Sequence, residues 1–144
     1  MITIQVNRIG GEFGFEAKDA NGHTARLDTS LETGGTDFGA RPMQMVLMAL
    51  GGCSGIDIIS ILKKQRLTVE NFSMTITGKR EKDKVPSLWE TVHVIFEFSG
   101  DIDADKATRA CALSIDKYCS VAETLRRSGT KLTWRVKVNG NQSL

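Results

Sequence analysis

The chain has 144 residues, 40% of them hydrophobic and 25% charged, the balance of a soluble globular domain rather than of a disordered, collagen-like or disulfide-scaffold chain. That length suits a single domain over residues 1–144 with a real core. Nineteen Lys+Arg against 17 Asp+Glu leave a net charge of +2, too small a basic excess for affinity built on phosphate neutralisation, so no nucleic-acid partner is expected.

Met1 to Arg8 lacks a basic segment followed by a long apolar one, so no signal peptide is read and a cytoplasmic location is expected. The first forty residues carry the period of two of half-buried strands. Ile2, Ile4 and Val6 alternate with Thr3 and Gln5, and Phe13 and Phe15 alternate with Gly14 and Glu16. Asn21-Gly22 supplies positive-φ turn chemistry before a third run at about His23 to Asp28, which predicts an antiparallel meander. Leu31 to Ala40, with Gly34, Gly35, Asp37 and Gly39, has neither periodicity and reads as a loop.

Pro42, favoured in the first turn of a helix, opens the longest apolar segment, which ends at Lys63-Lys64-Gln65-Arg66, cations suited to a helix C-terminus. Met43, Val46, Leu47, Leu50, Ile58, Ile61 and Leu62 spread over more than one face, predicting one long helix buried in the middle of the fold. Met43 to Leu62 has the length of a membrane span. Gln44 and Asp57 within it, and amphipathic strands on both sides, argue instead for a core helix and no membrane partner.

Phe72, Met74 and Ile76, then Val92, Val94, Phe96 and Phe98, mark two long strands expected to pair through the charged Lys79–Lys84 loop, read as a solvated hairpin tip. From Asp103, a good N-cap, apolar residues at Ala104, Ala107, Cys111, Ile115, Tyr118, Ala122 and Leu125 predict a second helical region ending near Gly129. A break near Asp116 to Cys119 would leave this pattern unchanged. Leu132, Trp134, Val136 and Val138 form a last strand.

His23 and His93 sit on polar strand faces without a second ligand at metal-binding spacing, so no metal is assigned. Gly51-Gly52 and Gly34-Gly35 are not phosphate loops. Three cysteines in a chain without an export signal leave thiol chemistry or plain burial rather than a structural disulfide framework. Cys53 follows two glycines inside a helix, at a cost of about 2 kcal/mol of helix propensity. Either the small residues let something approach the sulfur, or they serve helix packing alone. Cys119 lies in a more polar setting, while Cys111 falls on the apolar stripe and reads as structural.

The run Arg41-Pro42-Met43-Gln44 through Gly51-Gly52-Cys53-Ser54-Gly55-Ile56-Asp57, with Tyr118-Cys119-Ser120-Val121 far downstream, resembles the OsmC/Ohr family of osmotically inducible and organic hydroperoxide resistance proteins. Pro42 stands eleven residues before Cys53, and Cys119 follows sixty-six residues later, both at the family's spacing. The resemblance implies an α+β fold with antiparallel sheets around a long buried central helix, intertwined as a homodimer with its active sites at the subunit interface. It implies a thiol peroxidase for organic hydroperoxides, and possibly H2O2, in which Cys53 attacks the peroxide and Cys119 resolves the sulfenate. A dithiol or a lipoylated protein would be the reductant, and no flavin, haem or metal is called for. The family's activating arginine comes from the N-terminal region, here Arg8 or Arg41. Met43 stands where the hydroperoxide-resistance branch has a glutamate, with neutral Gln44 beside it, and Ser120 replaces the usual proline, so the sequence is more similar to the OsmC-like branch. The alternative is a non-enzymatic protein of the same fold that holds a hydrophobic or thiol-reactive ligand in the dimer cleft. Met43 favours that alternative, and the retained cysteine pair favours the enzyme.

Overall fold

A computed structural model describes residues 1–143. They fall into two compact units, Met1–Val46 and the chain from Leu47 onward.

The first unit is the predicted meander. Strands β1 (Gln5–Gly10), β2 (Gly14–Lys18) and β3 (Thr24–Leu27) pair antiparallel in that order. Ile2 and Ile4 continue the apolar alternation but lie outside the ladder. The β1–β2 register ends at Gln5 opposite Lys18, and the chain turns away from β2 at Asp19, so residues 1–4 have no partner strand among the described residues. Leu31 to Ala40 is largely loop, with one short 3-10 turn at Leu31–Thr33. Buried Asp28 organises it by accepting backbone N–H bonds from Thr29, Thr36 and Phe38 at 2.8, 2.9 and 3.0 Å. Those amides, that of Phe38 foremost, hold its carboxyl below the usual range.

Helix α1 runs Pro42–Lys64, as the apolar segment predicts. At its start the Gln44 side-chain oxygen accepts the Arg41 backbone N–H at 3.1 Å, half of a capping box. From Leu47 on, the helix buries Leu50, Ile58 and Leu62 and lays Gly51 and Gly55 over strand β4 (Asn71–Arg80). A Cβ on Gly51 would stand 3.1 Å from Ile76, and one on Gly55 3.0 Å from Met74, so these two glycines let helix and sheet approach closely. A Cβ on Gly52 would meet nothing within 4 Å beyond its own helix turn among the described residues. The packing reading thus accounts for Gly51, while Gly52 lies on a bare face beside Cys53. Met48, Ile56 and Ile59 share in that exposure at 56%, 74% and 40%, so an apolar stripe at helical spacing stays uncovered in the single chain.

Strands β4, β5 (Trp89–Ser99), β6 (Lys131–Val138) and β7 (Asn141–Ser143) form one sheet in that order. β4 and β5 pair antiparallel as expected, and β5 and β6 pair parallel. The parallel pairing follows from the helical crossover between them, which returns the chain to the end where β5 began. Val92, Val94, Phe96 and Phe98 of β5, with Val136 and Val138 of β6, supply the sheet's share of the core. The charged β4–β5 connection is solvated, with Lys84 paired to Glu81 and Lys79 to Glu90. The short β7 was not foreseen, although its signal is the Asn139-Gly140 pair, whose φ values of 49° and 79° make the tight turn after β6.

The second helical region divides in two. Helix α2 (Ala104–Leu113) starts at Asp103, whose side chain accepts the Lys106 N–H. A π-helical turn, Ser114–Tyr118, follows, and then helix α3 (Ser120–Arg127). Asp103→Ala should lower the unfolding free energy by about 1 kcal/mol through loss of the cap. Urea denaturation checks this, and an unchanged midpoint would show that the cap contributes nothing.

Candidate functional site

Apolar residues at three- and four-residue intervals continue across Ser114–Tyr118, so the period of a single helix conceals the π turn. In that turn the Cys119 N–H donates to the Ser114 carbonyl at 2.8 Å, a wider loop than an α-turn. Arg126 braces it from α3, donating to the Ile115 carbonyl at 2.6 Å and to Asp116 at 3.0 Å. The chain leaves the turn extended at Cys119, which becomes the N-cap of α3. Its sulfur accepts the Ala122 N–H at 3.4 Å. The break at Ser114–Tyr118, which the apolar pattern does not report, therefore aims a cysteine.

It aims that cysteine at α1. Cys53 Sγ, Cys119 Sγ and a carboxylate oxygen of Asp57 all lie within 4.8 Å of one another. Cys53 and Asp57 share a helix face because they are four residues apart. Buried Ser114 connects the two elements, its hydroxyl lying 3.2 Å from both the Ser54 carbonyl and Asp57 Oδ2. Ser54 is itself buried and donates to the Leu50 carbonyl at 2.7 Å.

The two sulfurs differ in access. Cys53 is half-buried, whereas Cys119 is 3% exposed. Burial pushes the Cys119 thiol up to about 11, with the Ala122 amide pulling the other way and neighbouring Cys53 adding to the rise. Asp57 also lines a cavity of about 520 Å³ with Ser60, Ile61, Lys64, Leu113 and Tyr118. Sequence reasoning missed Asp57 as a neighbour of the sulfurs. Its signal was the four-residue spacing from Cys53, which acquires meaning only when Cys119 arrives from another element.

Cys111 is fully buried in α2, and burial pushes its thiol up from 9.0 to about 12. Because the folded value is the higher one, this thiol favours the fold fully below about pH 9, and that contribution is lost as pH rises from 9 towards 12. Cys111→Ala should therefore flatten the alkaline fall in stability, as followed by urea denaturation. An unchanged slope would count against the burial effect.

The remaining sequence candidates lie in the first unit. Arg8 is on β1 opposite Phe15 and forms no ion pair among the described residues. Arg41 precedes α1 and reaches Asp37 at 4.0 Å, while Gln44 is engaged as a cap. The histidines are satisfied elsewhere, His23 by Asp19 and His93 by Thr133.

A family model described as OsmC-like protein matches residues 33–135. Protein YhfA of Escherichia coli (strain K12) is 37% identical over 115 residues, covering 79% of this chain and 82% of its own length. Among solved structures, a hypothetical protein from Aquifex aeolicus VF5 matches with a TM-score of 0.77 at 28% identity, over 96% of this chain and 98% of that one. An organic hydroperoxide resistance protein OsmC from Legionella pneumophila matches with a TM-score of 0.72 at 16% identity, over 96% and 97% of the two chains, a likeness of fold. By the family match over most of its length and by its identity to YhfA, this α+β chain belongs to the OsmC-like protein family.

Proposed function

We propose that the protein is a cytoplasmic, homodimeric thiol peroxidase that reduces organic hydroperoxides through Cys53 and Cys119. The observation that carries this reading is the approach of the two sulfurs to within 4.8 Å across two separate elements. A free thiol pair needs only side-chain rotation and a small backbone shift from that distance to reach an S–S bond of about 2.05 Å. The more accessible sulfur, Cys53, meets the peroxide. Its thiolate attacks the outer oxygen, the O–O bond breaks, the alcohol leaves with a proton, and Cys53 becomes a sulfenic acid. Cys119 then attacks the Cys53 sulfur, the disulfide forms, and the sulfenic hydroxyl departs as water with the Cys119 proton. Two electrons from a dithiol or a lipoylated protein restore both thiols.

A thiolate needs a cation, and of the two arginines from the N-terminal region we favour Arg8, since Arg41 is already paired with Asp37. The uncovered Met48–Gly52–Ile56–Ile59 stripe of α1 suits a second copy of the chain, as the family resemblance implies for its central helices. Ile56→Asp should therefore convert a dimer into a monomer by light scattering. A wild-type protein already monomeric at micromolar concentration would refute the dimer.

The test of the function is intact mass of the reduced protein after one equivalent of cumene hydroperoxide, followed by peptide mapping. Loss of two hydrogens at a Cys53–Cys119 disulfide is the expected result. Thiols that stay free would overturn it in favour of a non-enzymatic binder of a hydrophobic or thiol-reactive ligand, the reading that Met43 favours.

A further inference from the structure

The Cys53, Asp57 and Cys119 side chains present two sulfurs and one carboxylate to a common point. Two sulfurs and a carboxylate oxygen facing one point are a donor set that a soft divalent cation can take. Among the described residues from Leu47 onward Asp57 has no ion pair, and its one hydrogen-bond partner there is the Ser114 hydroxyl. A carboxylate oriented by a fixed hydroxyl is the arrangement that supports metal-binding carboxylates from behind. Asp57 also lines the 520 Å³ cavity, by which water reaches this carboxylate.

We propose that reduced Cys53, Asp57 and Cys119 form a three-ligand site for a thiophilic divalent cation such as Zn2+, with a water as fourth ligand. Two thiolates and one carboxylate suit zinc and disfavour the oxygen-seeking cations Mg2+ and Ca2+. With Zn–S near 2.3 Å and Zn–O near 2.0–2.2 Å, tetrahedral ligand atoms stand about 3.3–3.8 Å apart. Donors already within 4.8 Å close to that spacing by small rotations of the half-buried Cys53 and Asp57 side chains on α1 towards Cys119. Binding displaces the two thiol protons to solvent and leaves all oxidation states unchanged. The cation and the disulfide compete for the same sulfurs, so metal would hold the reduced form against peroxide. The site itself stands on the geometry and not on the peroxidase reading.

The experiment is titration of the reduced full-length protein with Zn2+ against a chromophoric chelator, with Co2+ as a spectroscopic probe. We expect one metal per chain and a thiolate-to-cobalt charge-transfer band that disappears in Cys53→Ser and in Cys119→Ser. Asp57→Asn should weaken zinc binding at least about tenfold, and Cys111→Ser should bind as the wild type does. Circular dichroism reports whether each variant is folded; should Asp57→Asn unfold, Asp57→Ser, which also removes the carboxylate, takes its place. Absence of stoichiometric binding, or equal affinity in the folded Asp57 variant, would overturn the proposal, the latter marking an adventitious thiol-bound ion only. A chain that binds zinc but forms no disulfide with cumene hydroperoxide would refute the peroxidase reading alone.

Discussion

Cys53→Ser protein is expected to reduce organic hydroperoxides no faster than buffer does, a loss of more than about 10³-fold, the scale on which removing a nucleophile acts. The serine hydroxyl is nearly isosteric, so the fold and the contacts of Gly51 and Gly55 with β4 are retained. What is lost is the only group on this face of α1 that can be both a strong nucleophile and an acceptor of oxygen. Peroxide consumption in the presence of a small dithiol measures the effect. Cys111→Ser is the control, since its buried thiol is held up to about 12 and takes no part in the scheme. Unchanged turnover in Cys53→Ser would refute the assigned role, and a loss in Cys111→Ser alone would move the chemistry to α2.

The second large effect belongs to Cys119→Ser. The variant should complete one reaction with peroxide and then accumulate Cys53 carrying two or three oxygens, because the sulfenic acid has no neighbouring thiol to trap it. The wild type should instead stop at the disulfide. Intact mass after several equivalents of hydroperoxide separates the two outcomes. A Cys53 sulfenic acid that persists for hours in the variant, or a variant that turns over as fast as the wild type, would show that Cys119 is not the resolving thiol. Serine at this position still caps α3, so the expected loss is chemical rather than structural.

Local chemistry made much of the molecule legible in the sequence. The meander, the β4 and β5 strands and β6 follow from alternation every second residue, and α1 from an apolar run opened by Pro42 and closed by lysines. Asp103 was readable as a cap because its partner, the Lys106 N–H, is three residues away. The OsmC-like identity, too, was in the residues around Cys53 and Cys119. Each of these signals lies within one element or in fixed spacing along the chain, where backbone geometry alone decides which side chains share a face.

Tertiary structure decided the rest. Ile2 and Ile4 alternate as well as Val6 does, but a strand extends only as far as its partner. Gly51 and Gly52 are equivalent in sequence, and only the position of β4 makes one a contact and leaves the other bare. The π turn keeps the helical period while shifting the chain that follows, so no pattern of apolar residues reports it. That shift brings Cys119 to Cys53 and Asp57 across more than sixty residues of chain. Such a meeting is set by how α1, the sheet and the α2–α3 segment pack together, and packing is a property of the whole core that no local spacing encodes.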